Sequence, residues 1–282
     1  MKPISGATFI RDNEEGAFCL YESMASVLPF VTDMHILDVG STDGTLQWLQ
    51  SIAAVNPKIH IHQGRWSVVD AKAFADAAND AILLCQNDVV WFWQADEIPH
   101  QNVLKMLPEY INTHDNLVFW RYQLRDNFQA MKWFPHPVHR IGTKRDLLLV
   151  GDGMNTKNVF GYDVIGDYNQ GWFTKWGTMN ELDIPVEQMV LDVSLVGAFR
   201  ENIIGRRKLH APMWHETDHI EGKKPDQWYK DAVANDAWTT QTTPFDLPEI
   251  MRWHVGRVKY AIRPQLIDAL KADSTEEIIG LL

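Results

Sequence analysis

Cysteine is almost missing from this chain: 282 residues contain two, Cys19 and Cys85, with no CxxC pair and no metal-like spacing. That excludes a disulfide framework and a thiolate zinc site, and leaves two free thiols in segments that read as helical and apolar, as in a reducing compartment. Basic residues are also short, 26 Lys and Arg against 37 Asp and Glu, giving a net charge of -11 and a pI near 5.4. A field of that sign repels polyanions, and no basic stripe is long enough to track a phosphate backbone, so nucleic acid is not expected as a partner. No apolar run approaches the roughly 18 to 20 residues of a membrane span, and "MKPISGATFI" lacks the apolar core of a signal peptide. The expectation is a soluble, cytoplasmic protein with no integral membrane segment. Aromatics, by contrast, are plentiful, with 12 Trp, 12 Phe and 7 Tyr, enough for stacking sites although most belong to a core.

Strand-length apolar runs alternate with helix-period segments, the pattern of an α/β sheet with helices on both faces. "ISGATFI" (4–10) and "DMHILDV" (33–39) read as strands. Between them Phe18, Tyr21, Ala25 and Leu28 recur at helical spacing and stop before Pro29. A helix carrying Leu46, Leu49 and Ile52 ends before Asn56-Pro57, and "KIHIH" follows as a short strand. A helix over about 68–84, with Val69, Ala73, Ala77 and Ala81 on one face, leads into the strand "VVWFW". Then "NVLKMLPEYI" reads as a helix and "NLVFWRY" as a strand. From 125 to about 190 the periodicity weakens and the chain reads as loop-rich. Helical spacing returns around 197–210, in 226–237 and in "RPQLIDALKA", where Pro264 suits a first turn. A sheet of this kind holds its ligands at the carboxyl ends of its strands.

Two carboxylate motifs sit at such ends. "DVGSTDGT" (38–45) follows a strand and precedes a helix: Gly40 and Gly44 permit positive φ, and Ser41, Thr42 or Asp43 can cap the helix. "QADE" (94–97) follows "VVWFW" directly. A carboxylate there costs on the order of several kcal/mol if dry and unpaired, so it needs a cation, a helix N-terminus or a metal. Hard divalent cations take such oxygen ligands and leave positions open for substrate phosphates. The alternative has Asp96 and Glu97 capping the next helix, with Pro99 in its first turn.

Together these motifs resemble a family 2 glycosyltransferase of the GT-A fold, whose pattern is a "DxGSxDGT" turn and a later DxD-like motif. "RDNEE" (11–15) and "AFADAANDA" (73–81) fit the same family. "QADE" closely followed by His100 resembles a subgroup with Gln at the first Asp of DxD. That subgroup also tends to an Arg before a "GDA"-like turn and a Gly-aromatic-x-Arg segment, here "VHRIGTKRDLLLVGDGMN" (138–155) and "VGAFRENIIGRRKLH" (196–210). The resemblance is densest over residues 4–100. It implies a GT-A (Rossmann-like) mixed sheet, with residues 1–125 as the nucleotide-sugar-binding core. Residues 126–282 would form an acceptor-side, loop-rich and helical portion of the same continuous domain.

The resemblance also implies roles. Phe9 and Arg11 would line the nucleotide, Asp38 would accept from a ring N–H of the base, and Ser41 and Asp43 lie in the same turn, Asp43 as ligand or as cap. Asp96 would hold Mn²⁺ or Mg²⁺ on the donor's diphosphate, with Gln94 on a ribose hydroxyl and Ala95 beside it. An inverting transferase needs a carboxylate to take the acceptor's proton. Asp152 in "VGDGMN" is the first candidate, or else the builder of an Asp-Gly turn, with Glu181 and Asp183 in reserve. Arg200 and Arg207, near Arg206 and Lys208, would hold the diphosphate or form a solvated basic face. His215 or His210 would complete the metal shell, although Leu195-Val196 stand where the subgroup has its usual His. Trp133, Phe134, Trp172 and Trp176 would stack on sugars or pack under loops.

The implied enzyme is an inverting hexosyltransferase taking a nucleotide-diphosphate sugar donor and a sugar or glycan acceptor. A nucleotide-binding module without turnover is the first alternative. A nucleotidyltransferase is the second, ranked lower because "ISGATFIRDNEEG" has no Gly-rich phosphate loop.

Overall fold

A computed structural model describes residues 1–16, 18–65, 72–99, 101–125, 130–131, 136–150, 155–157, 160, 179–181, 190–195 and 241–242. The first half runs β1 (Ser5–Ile10), α1 (Asn13–Gly16), α2 (Leu20–Val27), β2 (Asp33–Asp38), α3 (Thr45–Ala53), β3 (Ile59–Gln63), α4 (Lys72–Leu84) and β4 (Val89–Phe92). It continues through β5 (Glu97–Pro99), α5 (Gln101–Thr113), β6 (Asn116–Arg125), β7 (Ala130–Met131) and β8 (His136–Thr143). Then come β9 (Leu148–Val150), β10 (Asn155–Lys157), β11 (Met179–Glu181), β12 (Val190–Leu195) and β13 (Gln241–Thr242).

The central sheet has the order β13-β7-β6-β8-β4-β1-β2-β3. Strands β4, β1, β2 and β3 are mutually parallel, while β8 runs antiparallel to both β4 and β6, so the sheet is mixed. β1 leads to β2 on one side, and β4 lies on its other side. That reversal opens a crevice between the carboxyl ends of β1 and β4, where sheets of this kind bind ligands.

Both faces are covered. Ile4 and Ile10, Met34 and Ile36, and Trp91 and Trp93 pack with Leu20 and Met24 of α2, Leu49 and Ile52 of α3, and Leu107 and Ile111 of α5. Ala7, Leu37, Val90 and Phe92 pack on the opposite side against Ala77, Ala78 and Ala81 of α4. Burial on both sides is why these strands carry apolar residues on both faces, with Ser5, Thr8 and His35 buried among them. Gly6, inside β1, is needed for close approach, since a Cβ there would lie 3.0 Å from the Trp93 ring.

Two expectations change. The 125–190 stretch, read as loop-rich, supplies β8 in the middle of the sheet. "HPVHRIGT" conceals a strand because it buries polar side chains and carries a bulge. Leu117 faces Ile141 while Val118 faces His139, leaving Arg140 as the extra residue. Pro99, weighed for a helix's first turn, lies in β5, and α5 starts at Gln101. The helices expected after residue 196 lie outside the described residues. Cys19 and Cys85 are free and buried, just before α2 and just after α4, and burial pushes the Cys85 thiol up to about 12, too high for a reactive thiolate. Among the described residues no helix is long and apolar enough to cross a membrane.

Candidate functional site

The turn after β2 is built by its own residues. Asp38 Oδ1 accepts from the backbone N–H of Gly40 and of Ser41, both at 3.0 Å. Gly40 and Gly44 take φ of 96° and 99°, values that a side chain would disfavour. Asp43 Oδ1 accepts from Thr45 N at 3.0 Å and from Thr45 Oγ1 at 2.6 Å, so it caps the first turn of α3.

The loop after β1 docks onto this turn. Asp12 N donates to Ser41 Oγ at 2.8 Å, and Asp12 Oδ1 accepts from Thr42 N at 2.6 Å. These bonds hold Asp12 in the left-handed region at φ 50°, uncommon for a residue with a side chain. Arg11 Nε lies 3.4 Å from Asp12 Oδ2. Three buried polar atoms of these loops, Arg11 Nε, Asn13 Oδ1 and Asp38 Oδ2, make no hydrogen bond. Buried polar atoms are nearly always satisfied, and these three belong to segments at the carboxyl edge of the sheet, where a ligand's polar groups could meet them.

The second motif forms its own turn at the end of β4. Glu97 N donates to Gln94 O at 2.9 Å, and Gln94 N donates to Glu97 Oε2 at 3.1 Å. Asp96, 5% exposed, sits inside that turn. Glu97 does not cap a helix: Arg140 Nε donates to its Oε2 at 2.7 Å and Arg140 Nη2 to its Oε1 at 2.6 Å, a forked ion pair buried on both sides. Ser23 Oγ of α2 donates to Glu97 O at 2.6 Å. The guanidinium lies over the Phe92 ring, 5.7 Å from its centroid.

The sequence profile of glycosyl transferase family 2 matches residues 13–168, more than half of the chain. The chain belongs to glycosyl transferase family 2. No curated protein matches it significantly. Similar solved structures include residues 1–349 of Staphylococcus aureus TarS in complex with UDP, at 18% identity and TM-score 0.31, covering 44% of this chain and 36% of that one. Glucosyl-3-phosphoglycerate synthase from Mycobacterium tuberculosis, in complex with Mn²⁺, UDP-glucose and phosphoglyceric acid, is similar at 17% identity and TM-score 0.30, covering 43% and 44%. In both comparisons the matched part is less than half the length of the other protein.

In this family 2 chain the fold brings eight predicted residues to one edge of the sheet. Phe9 lies near the end of β1 and Arg11 just after it, Asp38 ends β2 with Ser41 and Asp43 in the turn beyond, and Gln94, Ala95 and Asp96 follow β4. The Phe9 ring stacks on Phe92 with centroids 6.5 Å apart and meets Phe74 edge-on at 6.2 Å, so it is held by the α4 face. Glu181 lies in β11, opposite Val118 of β6. Asp152, Asp183, Arg200, Arg206, Arg207, Lys208, His210 and His215 lie outside the described residues, as do His100, Trp133, Phe134, Trp172 and Trp176. Among the described residues no three His, Cys, Asp or Glu side chains are grouped to hold a metal.

Sequence reasoning placed Arg140 only within "VHRIGTKRDLLLVGDGMN", the segment matched to an Arg before a "GDA"-like turn, and gave it no partner. Its neighbour His139 is fully buried, with Nδ1 3.2 Å from Thr156 Oγ1 of β10, and burial, aided by the nearby Arg140 charge, pushes its pKa down to about 4. The β9–β10 ribbon is tied to α4 by Asn79, whose amide donates to Leu149 O at 2.8 Å and accepts from Leu149 N at 2.9 Å.

Proposed function

We propose that the chain transfers a hexose from a nucleotide-diphosphate sugar to the hydroxyl of a sugar or glycan acceptor, with inversion at the anomeric carbon. The observation that carries this reading is Asp38 Oδ2, a buried acceptor with no hydrogen bond at the carboxyl end of β2, its sister oxygen already committed to two backbone N–H groups. A base with a ring N–H satisfies it, and Arg11 Nε and Asn13 Oδ1 offer a donor and an acceptor from the segment after β1. Gln94 hydrogen-bonds a ribose hydroxyl.

Asp96 would hold Mn²⁺ or Mg²⁺ against the diphosphate. The donor set fits: a divalent ion bound chiefly through substrate phosphates and water needs only one or two protein carboxylates, and Asp96 offers a hard oxygen at the end of a rigid strand. When bound, the ion neutralises charge gathering on the leaving diphosphate. In the transfer, the acceptor oxygen bonds to the anomeric carbon as the bond to the diphosphate breaks, and the hydroxyl proton passes to a carboxylate. Asp152 is assigned that role, with Glu181 as the alternative. Arg200 and Arg207 are assigned to the diphosphate, and His215 to the metal.

The test is incubation with UDP-, GDP- and dTDP-sugars in Mn²⁺. Metal-dependent release of the nucleoside diphosphate is expected from one of them. Binding without release across the whole panel would instead favour a nucleotide-binding module. If Asp96→Ala leaves nucleotide affinity in Mn²⁺ unchanged, the metal assignment is wrong.

A further inference from the structure

A fully buried Arg–Glu pair is an expensive way to stabilise a core, since apolar side chains of similar volume often serve equally well. What the Glu97–Arg140 pair supplies here is direction. The Glu97 carboxylate does two things at once: Oε2 accepts from Gln94 N at 3.1 Å and from Arg140 Nε at 2.7 Å, while Oε1 accepts from Arg140 Nη2 at 2.6 Å. It therefore closes the Gln94–Glu97 turn from inside while the guanidinium fixes the carboxylate from outside. The Ser23 hydroxyl, at 2.6 Å from Glu97 O, fixes the backbone of the same residue. Together these bonds hold the turn that carries Asp96.

The arginine is brought to this position by the bulge in β8, where Leu117 faces Ile141 and Val118 faces His139. Its side chain is 1% exposed and its remaining arm points to His139 O at 3.3 Å, so it does not itself reach a substrate.

We propose that Arg140, acting through Glu97, is the positioning residue of the site: it sets the direction in which Asp96 meets the metal-bound diphosphate. This rests on the reading of Asp96 given above. Lysine cannot replace it, because a single ammonium cannot supply the two parallel hydrogen bonds of the fork.

The experiment is calorimetric titration of the intact chain with UDP, with and without Mn²⁺, alongside thermal melting. Three variants are compared: Asp96→Ala, Arg140→Lys and the double variant Glu97→Gln/Arg140→Met, which removes both charges while keeping volume. Mn²⁺ is expected to strengthen UDP binding to the unmodified chain, and Asp96→Ala to abolish the gain. The double variant should melt near the unmodified chain and keep its metal-free UDP binding, because the Asp38 turn is untouched and the side-chain oxygen left by Glu97→Gln can still accept from Gln94 N. It should nevertheless lose at least about ten-fold of the Mn²⁺ gain. Arg140→Lys should lose several-fold, and it decides the matter if the double variant does not fold. A full gain in the double variant, or in Arg140→Lys in its stead, alongside its loss in Asp96→Ala, overturns the positioning role alone. A full gain in Asp96→Ala overturns the reading of Asp96, and the positioning role with it.

Discussion

Asp38 takes its two backbone hydrogen bonds from residues two and three positions further on, whereas Glu97 takes its fork from an arginine 43 positions away. Both turns end parallel strands at the same edge of the sheet, and in the proposed function both offer a carboxylate to the same ligand. The first is specified by its own eight residues and needs only the β1 loop beside it. The second has no fixed shape until β8 has paired with β4 and β6. One half of the site is thus local and the other is assembled by tertiary structure, and each half has its own way of being broken.

Arg140→Ala breaks the assembled half most severely. It leaves the Glu97 carboxylate buried without a counter-charge, and a loss of about 3–5 kcal/mol is expected, read from the urea midpoint. Acid strikes the same half. The His139 pKa is pushed down to about 4 by burial, so between that value and an unfolded value near 6.5 the native chain binds fewer protons than the unfolded one. Stability is full above about 6.5 and falls by on the order of 3 kcal/mol as the pH drops toward 4. His35 and His62, whose pKa values are also lowered chiefly by burial, lose stability in the same direction. Urea midpoints at pH 7.5, 6 and 4.5 should therefore show a shallower slope for His139→Gln, not a flat one.

The local half responds in function before stability. Asp38→Asn can keep an oxygen for the two turn amides but replaces the free acceptor with a donor. UDP binding by titration should weaken about ten-fold or more, with little change in melting, as expected for losing a hydrogen bond to a charged group. Asp43→Ala is the mildest change. Losing the contact to the first turn of α3 should cost about 0.5–1 kcal/mol, with UDP affinity retained, and an equal loss of affinity would make Asp43 a ligand as well as a cap.

What was legible in the sequence follows the same division. Strands β1 to β4 and helices α3 and α4 showed through because their apolar residues recur at strand and helix periods, and Asp43 was readable as a cap because its partner is two residues away. Glu97 was weighed as a cap or as a carboxylate in need of a cation or metal, but its cation could not be named, since local reasoning supplies only local partners. β8 stayed hidden because two of its buried residues, His139 and Arg140, are polar and contact distant groups, Thr156 through Nδ1 and Glu97 through the guanidinium, and its bulge breaks the alternation a strand would display. Asp96 was proposed from its place after an aromatic strand, yet the Arg140 fork on the neighbouring Glu97 could not be read without knowing which strand lies beside β4.

Gly6 carries a consequence for evolution. The Trp93 ring fills the notch left by its missing side chain, and Trp93 stands immediately before Gln94. Even a methyl group at position 6 would press on the indole and be transmitted to the donor edge at the other end of that residue. A drift from glycine to alanine, ordinarily among the mildest changes a strand can accept, would here act as a mutation of the site without touching it.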